Sequence, residues 1–165
     1  MKKIYVVRHC EAVGQSAEVH LTDKGYQQAL ELCKFFSNIK VDRIISSLYR
    51  RALESIKPLA ENLNMEIEIE SNLKERKLSI HSFSDWLEKL EKTYDDLDLK
   101  FEGGESSRDA MKRIVQVIEN ALHSNSENIV IVTHGNLMSL LLKHYIEDFG
   151  LDRKSTRLNS SHKTE

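Results

Sequence analysis

Residues 129–135 read Ile-Val-Ile-Val-Thr-His-Gly, so that four β-branched residues run directly into a polar turn. Such a short apolar run, bounded by turn residues, predicts a strand that is buried on both faces of a parallel sheet. A second run of this kind, residues 4–7, ends at Arg8 and His9. Ligands of open α/β sheets bind beyond the carboxyl ends of the strands, so we expect His134, Arg8 and His9 to share one crevice. A crevice with these side chains would suit an anionic substrate.

Strand and helix patterns alternate along the rest of the chain. Thr22 offers a helix N-cap ahead of Asp23, whose negative charge suits the positive end of the helix dipole. The predicted strands cover residues 3–7, 41–46, 65–69 and 129–133, and the predicted helices cover residues 23–37, 49–63, 81–97, 107–123 and 136–149. This alternation predicts an α/β fold, a three-layer sandwich whose central sheet is mostly parallel and carries helices on both faces.

Length and composition indicate a soluble globular protein. The 165 residues suffice for one domain with a real core, and the net charge of −2 gives no reason to expect a nucleic-acid partner or an anionic membrane surface. No apolar stretch approaches the roughly 20 residues that cross a bilayer. The short apolar run before Arg8 cannot form a signal-peptide core, so we expect a cytoplasmic protein whose Cys10 and Cys33 are reduced. The sequence leaves the oligomeric state open.

The chain changes character after Leu151. Residues 152–165 are rich in Ser, Thr, Lys, Arg and Asn and show neither strand nor helix periodicity, which predicts a flexible tail. We therefore expect one domain over residues 1–151. Two explanations of residues 152–165 stay open: an ordinary flexible C-terminus, or a stretch that is not native to the protein.

Basic and polar side chains collect at the predicted strand ends. The strand over residues 41–46 leads into Ser47, and Arg50 and Arg51 follow one turn into the next helix. Together with Arg8, this pattern predicts a phosphate pocket, because guanidinium groups bind phosphate oxygens and helix N-termini offer unpaired N–H groups. A histidine in such a pocket can attack phosphorus itself when one ring nitrogen is neutral and correctly aimed.

Five short stretches of the chain follow one another in a known order. They read Arg8-His9-Cys10-Glu11, LTDKGYQQA at residues 21–29, SSLYRRA at residues 46–52, Leu73-Lys74-Glu75, and Gly103-Gly104-Glu105-Ser106 followed by Thr133-His134-Gly135. In this order they resemble the histidine phosphatase superfamily, which includes the cofactor-dependent phosphoglycerate mutases and many small phosphatases. The first four stretches are similar to its signatures Arg-His-Gly, Leu-Thr-x-x-Gly-x-x-Gln-Ala, Ser-Ser-Pro-Leu-x-Arg-Ala and Leu-x-Glu.

The resemblance implies a phosphoglycerate mutase-like fold and a phosphatase that hydrolyses a phosphomonoester. His9 would be the nucleophile and would form a phosphohistidine. Arg8, Arg51 and His134 would hold the phosphoryl oxygens and stabilise the transition state. Glu75 would protonate the leaving oxygen and then activate water for the second step.

The same resemblance implies which residues contact the substrate phosphate, namely Arg8, Gln15, Arg51, His134 and Gly135. Gln15 falls near a position where the family often has an asparagine that contacts phosphate. No metal or other cofactor is implied, and the histidines and cysteines of the chain show no metal-ligand spacing. The implied partner is a small-molecule phosphate ester.

The sequence departs from the family pattern at Cys10, where a glycine usually follows the nucleophile, and at Leu48, where a proline is usual. A side chain at position 10 crowds the turn, and its thiol would lie beside the site, open to oxidation. Arg50 competes with Arg51 for the phosphate, and Glu75 has the alternative of an ordinary surface carboxylate. Two other functions stay open: phosphoglycerate mutase-type phosphoryl transfer, and a module that binds a phosphorylated ligand without turnover.

Overall fold

A mostly parallel sheet organises the structure, a computed structural model that describes residues 1–146 and the backbone of residues 163–164. Its strands are β1 (Lys3–Arg8), β2 (Arg43–Ser46), β3 (Ile67–Ile69), β4 (Asn128–Thr133) and β5 (Lys163–Thr164). The helices are α1 (Asp23–Phe35), α2 (Arg50–Leu63), α3 (Trp86–Asp95), α4 (Ser107–Leu122) and α5 (Gly135–Tyr145). Short 3₁₀ turns lie at Phe36–Asn38 and Ser71–Leu73. The predicted α/β fold is confirmed.

The strand order β3-β2-β4-β1-β5 places β4 between β2 and β1. These pairings are parallel, and only the two-residue β5 runs antiparallel, beside β1. The register sets Arg8 opposite Thr133 and Ser46 opposite Val132. Because parallel strands end at the same edge of a sheet, the residues that follow β1, β2 and β4 are brought together.

The side chains of β4 alternate between two hydrophobic cores. Val130 and Val132 lie in the core that β1 and β2 share with α1 and α2. Ile129 and Ile131 lie in the opposite core, which contains the apolar faces of α3, α4 and α5. All four side chains have 0% exposure, as expected for a strand covered on both faces. Helices therefore cover both sides of the sheet.

The predicted helix over residues 81–97 is shorter in the structure, where α3 begins at Trp86. The chain before α3 is hydrogen-bonded to the loop that contains Glu102, whose carbonyl accepts from Ile80 N–H at 2.9 Å. The hydroxyl of Ser79 donates to the same carbonyl at 2.8 Å. Since these groups are bound to Glu102, the helix begins only after this pairing ends.

The predicted strand over residues 65–69 begins later, at Ile67. Asn64 ends α2 in the left-handed conformation with φ 52°, and Met65 N–H still donates to the carbonyl of Ala60. Met65 therefore belongs to the cap of α2 and has no strand partner.

Several predictions on the C-terminal part of the chain lie outside the described residues. They are the end of the last helix at residue 149, the domain limit at residue 151 and the tail over residues 152–165, of which only the backbone of Lys163–Thr164 is described. Among the described residues, none of the helices has the length and apolar character that a bilayer crossing requires.

The start of α1 is fixed by two close contacts. The Thr22 hydroxyl accepts a hydrogen bond from Gly25 N–H at 2.9 Å, which confirms the predicted N-cap, and it donates to the Glu11 carboxylate at 2.6 Å. Gly25 itself packs against backbone, since a Cβ atom added there would lie 2.0 Å from the carbonyl oxygen of Glu11. A glycine at this position lets α1 lie directly over the chain that follows β1.

We expect Gly25→Ala to lower the free energy of unfolding by about 1–3 kcal/mol, the usual range for overpacking against atoms that cannot move aside. Alanine by itself would favour the helix by about 1 kcal/mol, so a loss of stability isolates the clash. Urea unfolding of the purified variants measures the effect. Gly14→Ala is the matched control, because a Cβ atom there meets only Val19 Cγ1, at an ordinary 3.5 Å. Equal urea midpoints for the two variants would contradict the prediction.

Candidate active site

The ends of three neighbouring strands deliver the polar residues of the site. His9 follows β1, Ser47 follows β2 and His134 follows β4. Backbone hydrogen bonds continue past the strands, from His9 N–H to the carbonyl of Thr133 at 3.1 Å and from Ser47 N–H to the carbonyl of Val132 at 3.0 Å. The two imidazole rings consequently lie 5.1 Å apart between centroids. His9 and His134 therefore lie side by side at the carboxyl ends of β1 and β4.

The ring of His9 is held in one tautomer by its own turn. Its Nδ1–H donates to the carbonyl of Cys10 at 2.7 Å, since a carbonyl oxygen can only accept. The Nε2 atom therefore carries the lone pair, and it accepts a long hydrogen bond of 3.3 Å from Arg51 Nε. Burial is the main cause that lowers the pKa of His9 to about 4; the charges of Arg51 and Arg8 act in the same direction, and the hydrogen bond to the Cys10 carbonyl opposes them. Near neutral pH, His9 is an uncharged base with Nε2 directed into the site.

Arg51 lies in the site and Arg50 does not. The Arg51 side chain is only 2% exposed, and its Nη1 donates to the carbonyls of Gln15 and Ser16 at 3.0 and 2.8 Å. Burial lowers its pKa, but a guanidinium stays charged at any physiological pH. The Arg50 side chain is 52% exposed and forms an ion pair with Glu54 within α2. Of the two neighbouring arginines, only Arg51 is buried beside His9.

His134 is fully buried at the N-terminus of α5. Its Nε2 atom lies 2.8 Å from the hydroxyl of Ser47, and its Nδ1 atom has no hydrogen-bond partner among the described residues. Burial lowers the pKa of His134 to about 2, with smaller contributions from His9 and the nearby arginines. A second neutral imidazole thus lies beside the first, and its Nδ1 is a buried polar atom.

Tyr49 is a site residue that sequence reasoning missed. Its ring contacts His134 edge-on, with 4.8 Å between centroids, and the guanidinium carbon of Arg51 lies 4.9 Å from the centre of the same ring. The ring therefore packs against two of the groups expected to hold phosphate. The sequence feature that could have indicated Tyr49 is its aromatic side chain two positions before Arg51, at the start of α2.

Glu75 reaches the same edge of the sheet from a segment that belongs to neither a helix nor a strand. Its carboxylate accepts hydrogen bonds from the N–H groups of Asn136, Leu137 and Arg76 at 3.0, 2.9 and 2.9 Å. Two of these donors belong to the first turn of α5, so Glu75 caps the helix that follows His134. Burial raises the pKa of Glu75 and outweighs these hydrogen bonds, which lower it. Glu75 therefore does not behave as an ordinary surface carboxylate.

Arg8 contributes a second, partly buried cation near this acid. Burial lowers the pKa of the Arg8 guanidinium, and the negative charge of Glu75 raises it. Arg8 in turn lowers the pKa of Glu75. Arg8, at the end of β1, and Glu75 therefore stabilise each other's charged forms.

Gln15, Gly135 and Cys10 lie in three different environments. Gln15 is exposed, and its backbone carbonyl rather than its side-chain amide is bound to Arg51. Gly135 is buried as the first residue of α5. Cys10 is also fully buried and packs with Leu21 and Ala29 under α1. Its thiol does not crowd the turn after His9, and burial raises its pKa, which disfavours the reactive thiolate.

Cations and neutral imidazoles together make this edge of the sheet suited to an anion. Arg8 and Arg51 supply permanent charge, and the N-terminus of α5 adds partial positive charge. Among the described residues there is no group of three or more histidine, cysteine, aspartate or glutamate side chains that could hold a metal ion. The arrangement can bind an oxyanion and place a neutral imidazole nitrogen beside it.

Comparisons with known proteins match both the sequence and the fold. A model of the histidine phosphatase superfamily (branch 1) matches residues 4–159. A candidate phosphoserine phosphatase 2 of Hydrogenobacter thermophilus is 25% identical over 158 residues, which cover 86% of this chain and 77% of the relative.

Two solved structures share the fold. A mycobacterial glucosyl-3-phosphoglycerate phosphatase gives a TM-score of 0.74 at 20% identity, covering 89% of this chain and 80% of that one. The alpha-ribazole phosphatase of Shigella flexneri gives a TM-score of 0.70 at 21% identity, covering 87% of this chain and 79% of that one.

The buried histidines predict how stability depends on pH. In the unfolded chain a histidine titrates near pH 6.5, whereas the folded protein resists protonation of His9 down to about pH 4 and of His134 down to about pH 2. As the pH falls below 6.5, the unfolded state takes up protons that the folded state does not. The free energy of unfolding is therefore highest above pH 6.5, and it decreases as the pH falls below that value.

We expect His134→Gln to reduce this pH dependence, because it removes one of the two depressed groups. The free energy of unfolding should then fall by roughly 1.4 kcal/mol less for each pH unit between about pH 6 and pH 4. Urea unfolding at several pH values measures the slope, and the exposed His123→Gln controls for loss of an imidazole. An unchanged slope in His134→Gln would contradict the prediction.

Proposed function

The chain belongs to the histidine phosphatase superfamily, and from this premise we propose that it hydrolyses a phosphomonoester through a phosphohistidine on His9. The observation that carries the proposal is the fixed tautomer of His9. With Nδ1–H bound to the carbonyl of Cys10, the Nε2 lone pair points into a pocket of cations. A neutral, oriented imidazole is what attack on phosphorus requires.

In the first step the Nε2 lone pair forms a bond to phosphorus while the bond from phosphorus to the leaving oxygen breaks. Arg8 and Arg51 neutralise the charge on the phosphoryl oxygens, and Arg51 can exchange its long 3.3 Å contact with Nε2 for those oxygens. His134 supplies a further ring nitrogen, and Gly135 supplies an N–H at the start of α5.

Glu75 is the proposed acid and base. As an acid it gives its proton to the leaving oxygen, and as the resulting carboxylate it takes a proton from the water that attacks phosphohistidine. That attack forms a bond between water and phosphorus and breaks the bond between phosphorus and Nε2, which restores His9. The raised pKa of Glu75 supports this cycle, because it favours the protonated form that the first step needs.

The proposed substrate is a small phosphate ester. The names of the related proteins refer to phosphoserine, glucosyl-3-phosphoglycerate and alpha-ribazole phosphatases, and each of these names denotes a phosphate carried by a small polar molecule. No group in the proposed steps requires a metal ion, so we expect turnover that resists chelators. Transfer of the phosphoryl group to a second hydroxyl, as in a mutase, would use the same first step.

The test is to trap the covalent intermediate. With a phosphorus-labelled ester, wild-type protein should retain label that is lost in acid and stable in base, as expected of a phosphoramidate bond, and should release inorganic phosphate in the presence of EDTA. His9→Ala should lose the label, and its turnover should fall by about 10³-fold or more. The exposed His20→Ala is the control.

Different outcomes separate the alternatives. An isomeric ester in place of inorganic phosphate would indicate a mutase. Phosphate-dependent thermal stabilisation of a folded wild type that neither turns over nor becomes labelled would indicate a binding module and overturn the proposal.

The neighbouring arginines of α2 give a second, internally controlled prediction. We expect Arg51→Lys to lower kcat/KM for p-nitrophenyl phosphate by about 10²-fold, because a lysine cannot reproduce the guanidinium contacts with both phosphate and backbone carbonyls. Arg50→Lys changes the same residue type one position away, on the exposed surface of the helix. It should stay within about three-fold of wild type, as surface substitutions usually do. Equal losses in both variants would contradict the assignment.

A further inference from the structure

Arg76, the residue after Glu75, is a buried cation that the proposed chemistry does not use. Its side chain is 5% exposed. Nη1 donates to the hydroxyls of Thr93 and Ser107 at 3.1 and 2.8 Å, and Nη2 donates to the carbonyl of Glu105 at 2.8 Å. One guanidinium thus joins the segment that carries Glu75 to α3, to α4 and to the loop before α4.

The hydroxyl acceptors of Arg76 are oriented to receive it. The Ser107 hydroxyl donates its proton to the carbonyl of Thr93 at 2.6 Å, and the Thr93 hydroxyl donates to the carbonyl of Leu90. Because both protons are directed at carbonyls, the oxygen lone pairs are left for the guanidinium. Thr93 and Ser107 are themselves fully buried, so the arrangement is closed to water.

All of these acceptors are uncharged. A buried guanidinium that is bound only to neutral oxygens carries a large desolvation cost, because no carboxylate contacts it to offset that cost. Apolar packing would hold α3 and α4 to the sheet more favourably. The position of Arg76 beside the proposed acid suggests a role that packing could not fill.

The segment that carries Glu75 is held by tertiary contacts rather than by a helix or strand of its own. Residues 74–80 form neither helix nor strand. Downstream, the carbonyl of Lys77 accepts a hydrogen bond from Glu105 N–H at 2.9 Å, and Lys77 N–H donates to the Glu105 carboxylate, which is also bound to Arg113. At Glu75 itself the carboxylate receives the backbone N–H of Arg76, so a displacement of Arg76 would displace the donor and the acid together.

The far end of the same network also reaches the site. The Tyr94 hydroxyl, next to Thr93 on α3, donates to the carbonyl of Asn136 at 3.3 Å. Asn136 N–H is one of the groups that bind the Glu75 carboxylate. α3 therefore contacts the segment that carries Glu75 through Arg76, and it contacts α5, which Glu75 caps, through Tyr94.

We propose that Arg76 is the positioning residue for Glu75, which it holds at the end of α5 by anchoring residues 74–80 to α3 and α4. This inference rests on the proposed function, in which Glu75 donates a proton to the leaving oxygen. Arg76 does not contact the reacting atoms. Its substitution should therefore affect the step that needs the acid and leave the binding of phosphate intact.

The experiment uses the leaving group as the readout. An ester of an acidic phenol, p-nitrophenyl phosphate, scarcely needs a proton on its leaving oxygen, whereas glycerol phosphate does. The quantity compared is kcat/KM, which excludes the later hydrolysis of phosphohistidine. We expect Arg76→Met to lower kcat/KM for glycerol phosphate by about 10–100-fold and for p-nitrophenyl phosphate by less than about three-fold. Arg76→Lys should recover part of the loss.

Two further variants connect the effect to Glu75. Glu75→Gln should show the same dependence on the leaving group, and the double variant Glu75→Gln/Arg76→Met should be no slower on glycerol phosphate than Glu75→Gln alone. Thr93→Val removes one acceptor while keeping the arginine, and should give a smaller loss of the same kind if Arg76→Met fails to fold. Phe36→Leu, in the opposite core, controls for lowered stability by itself.

The outcomes are distinguishable. Equal losses on both esters in Arg76→Met and Thr93→Val, with Glu75→Gln selective for glycerol phosphate, would overturn the role of Arg76 and leave the proposed function standing. A Glu75→Gln variant without selectivity would remove the acid that Arg76 is said to position, and would overturn the inference with that assignment. Absence of turnover and labelling in the folded wild type would overturn the proposed function first.

Discussion

The hydrogen bonds along both edges of β4 are the constraint on which the rest of the structure depends. β1 lies on one edge and β2 on the other, and each pairs in parallel register. A slip of one residue would exchange the side chains of Ile129 and Val130 between the two cores, which are filled by different helices. The packing on both faces therefore fixes the register, and the register fixes how closely the residues after the three strands approach one another.

Charge and burial act in the same direction at this edge. His9 and His134 stay neutral because they are withdrawn from water and because arginines stand beside them. Arg51 in turn is held by the carbonyls of Gln15 and Ser16 and by the ring of Tyr49, all of which are uncharged groups. A buried cation with only uncharged partners costs free energy, and binding of an anion beside it offsets that cost. The electrostatic character of the site follows from the burial of its imidazoles and from the cations beside them.

Sequence patterns predicted the sheet and the convergence of strand ends because both depend on local signals. The runs that end at His9 and His134 are short, apolar and bounded by turns. The order of helices and strands from β1 to α5 was correct, with boundaries shifted by a few residues, whereas the two-residue β5 was not predicted. The contacts of Tyr49, of Glu75 with α5, and of Arg76 were beyond prediction from these patterns. Each joins segments through side chains that follow no period, and Arg76 is bonded to residues 17 and 31 positions away.

The first turn of α5 lacks a cap of its own, and this affects how the protein folds. The N-cap residue is His134, whose side chain makes no capping hydrogen bond and is turned toward Ser47. The carboxylate of Glu75 does the capping from 61 residues upstream. Because such a contact must wait for a long loop to close, the beginning of α5 cannot be completed by its local sequence. The first turn of α5 beside His134 is therefore completed by a contact between distant parts of the chain and not by its own neighbours in sequence.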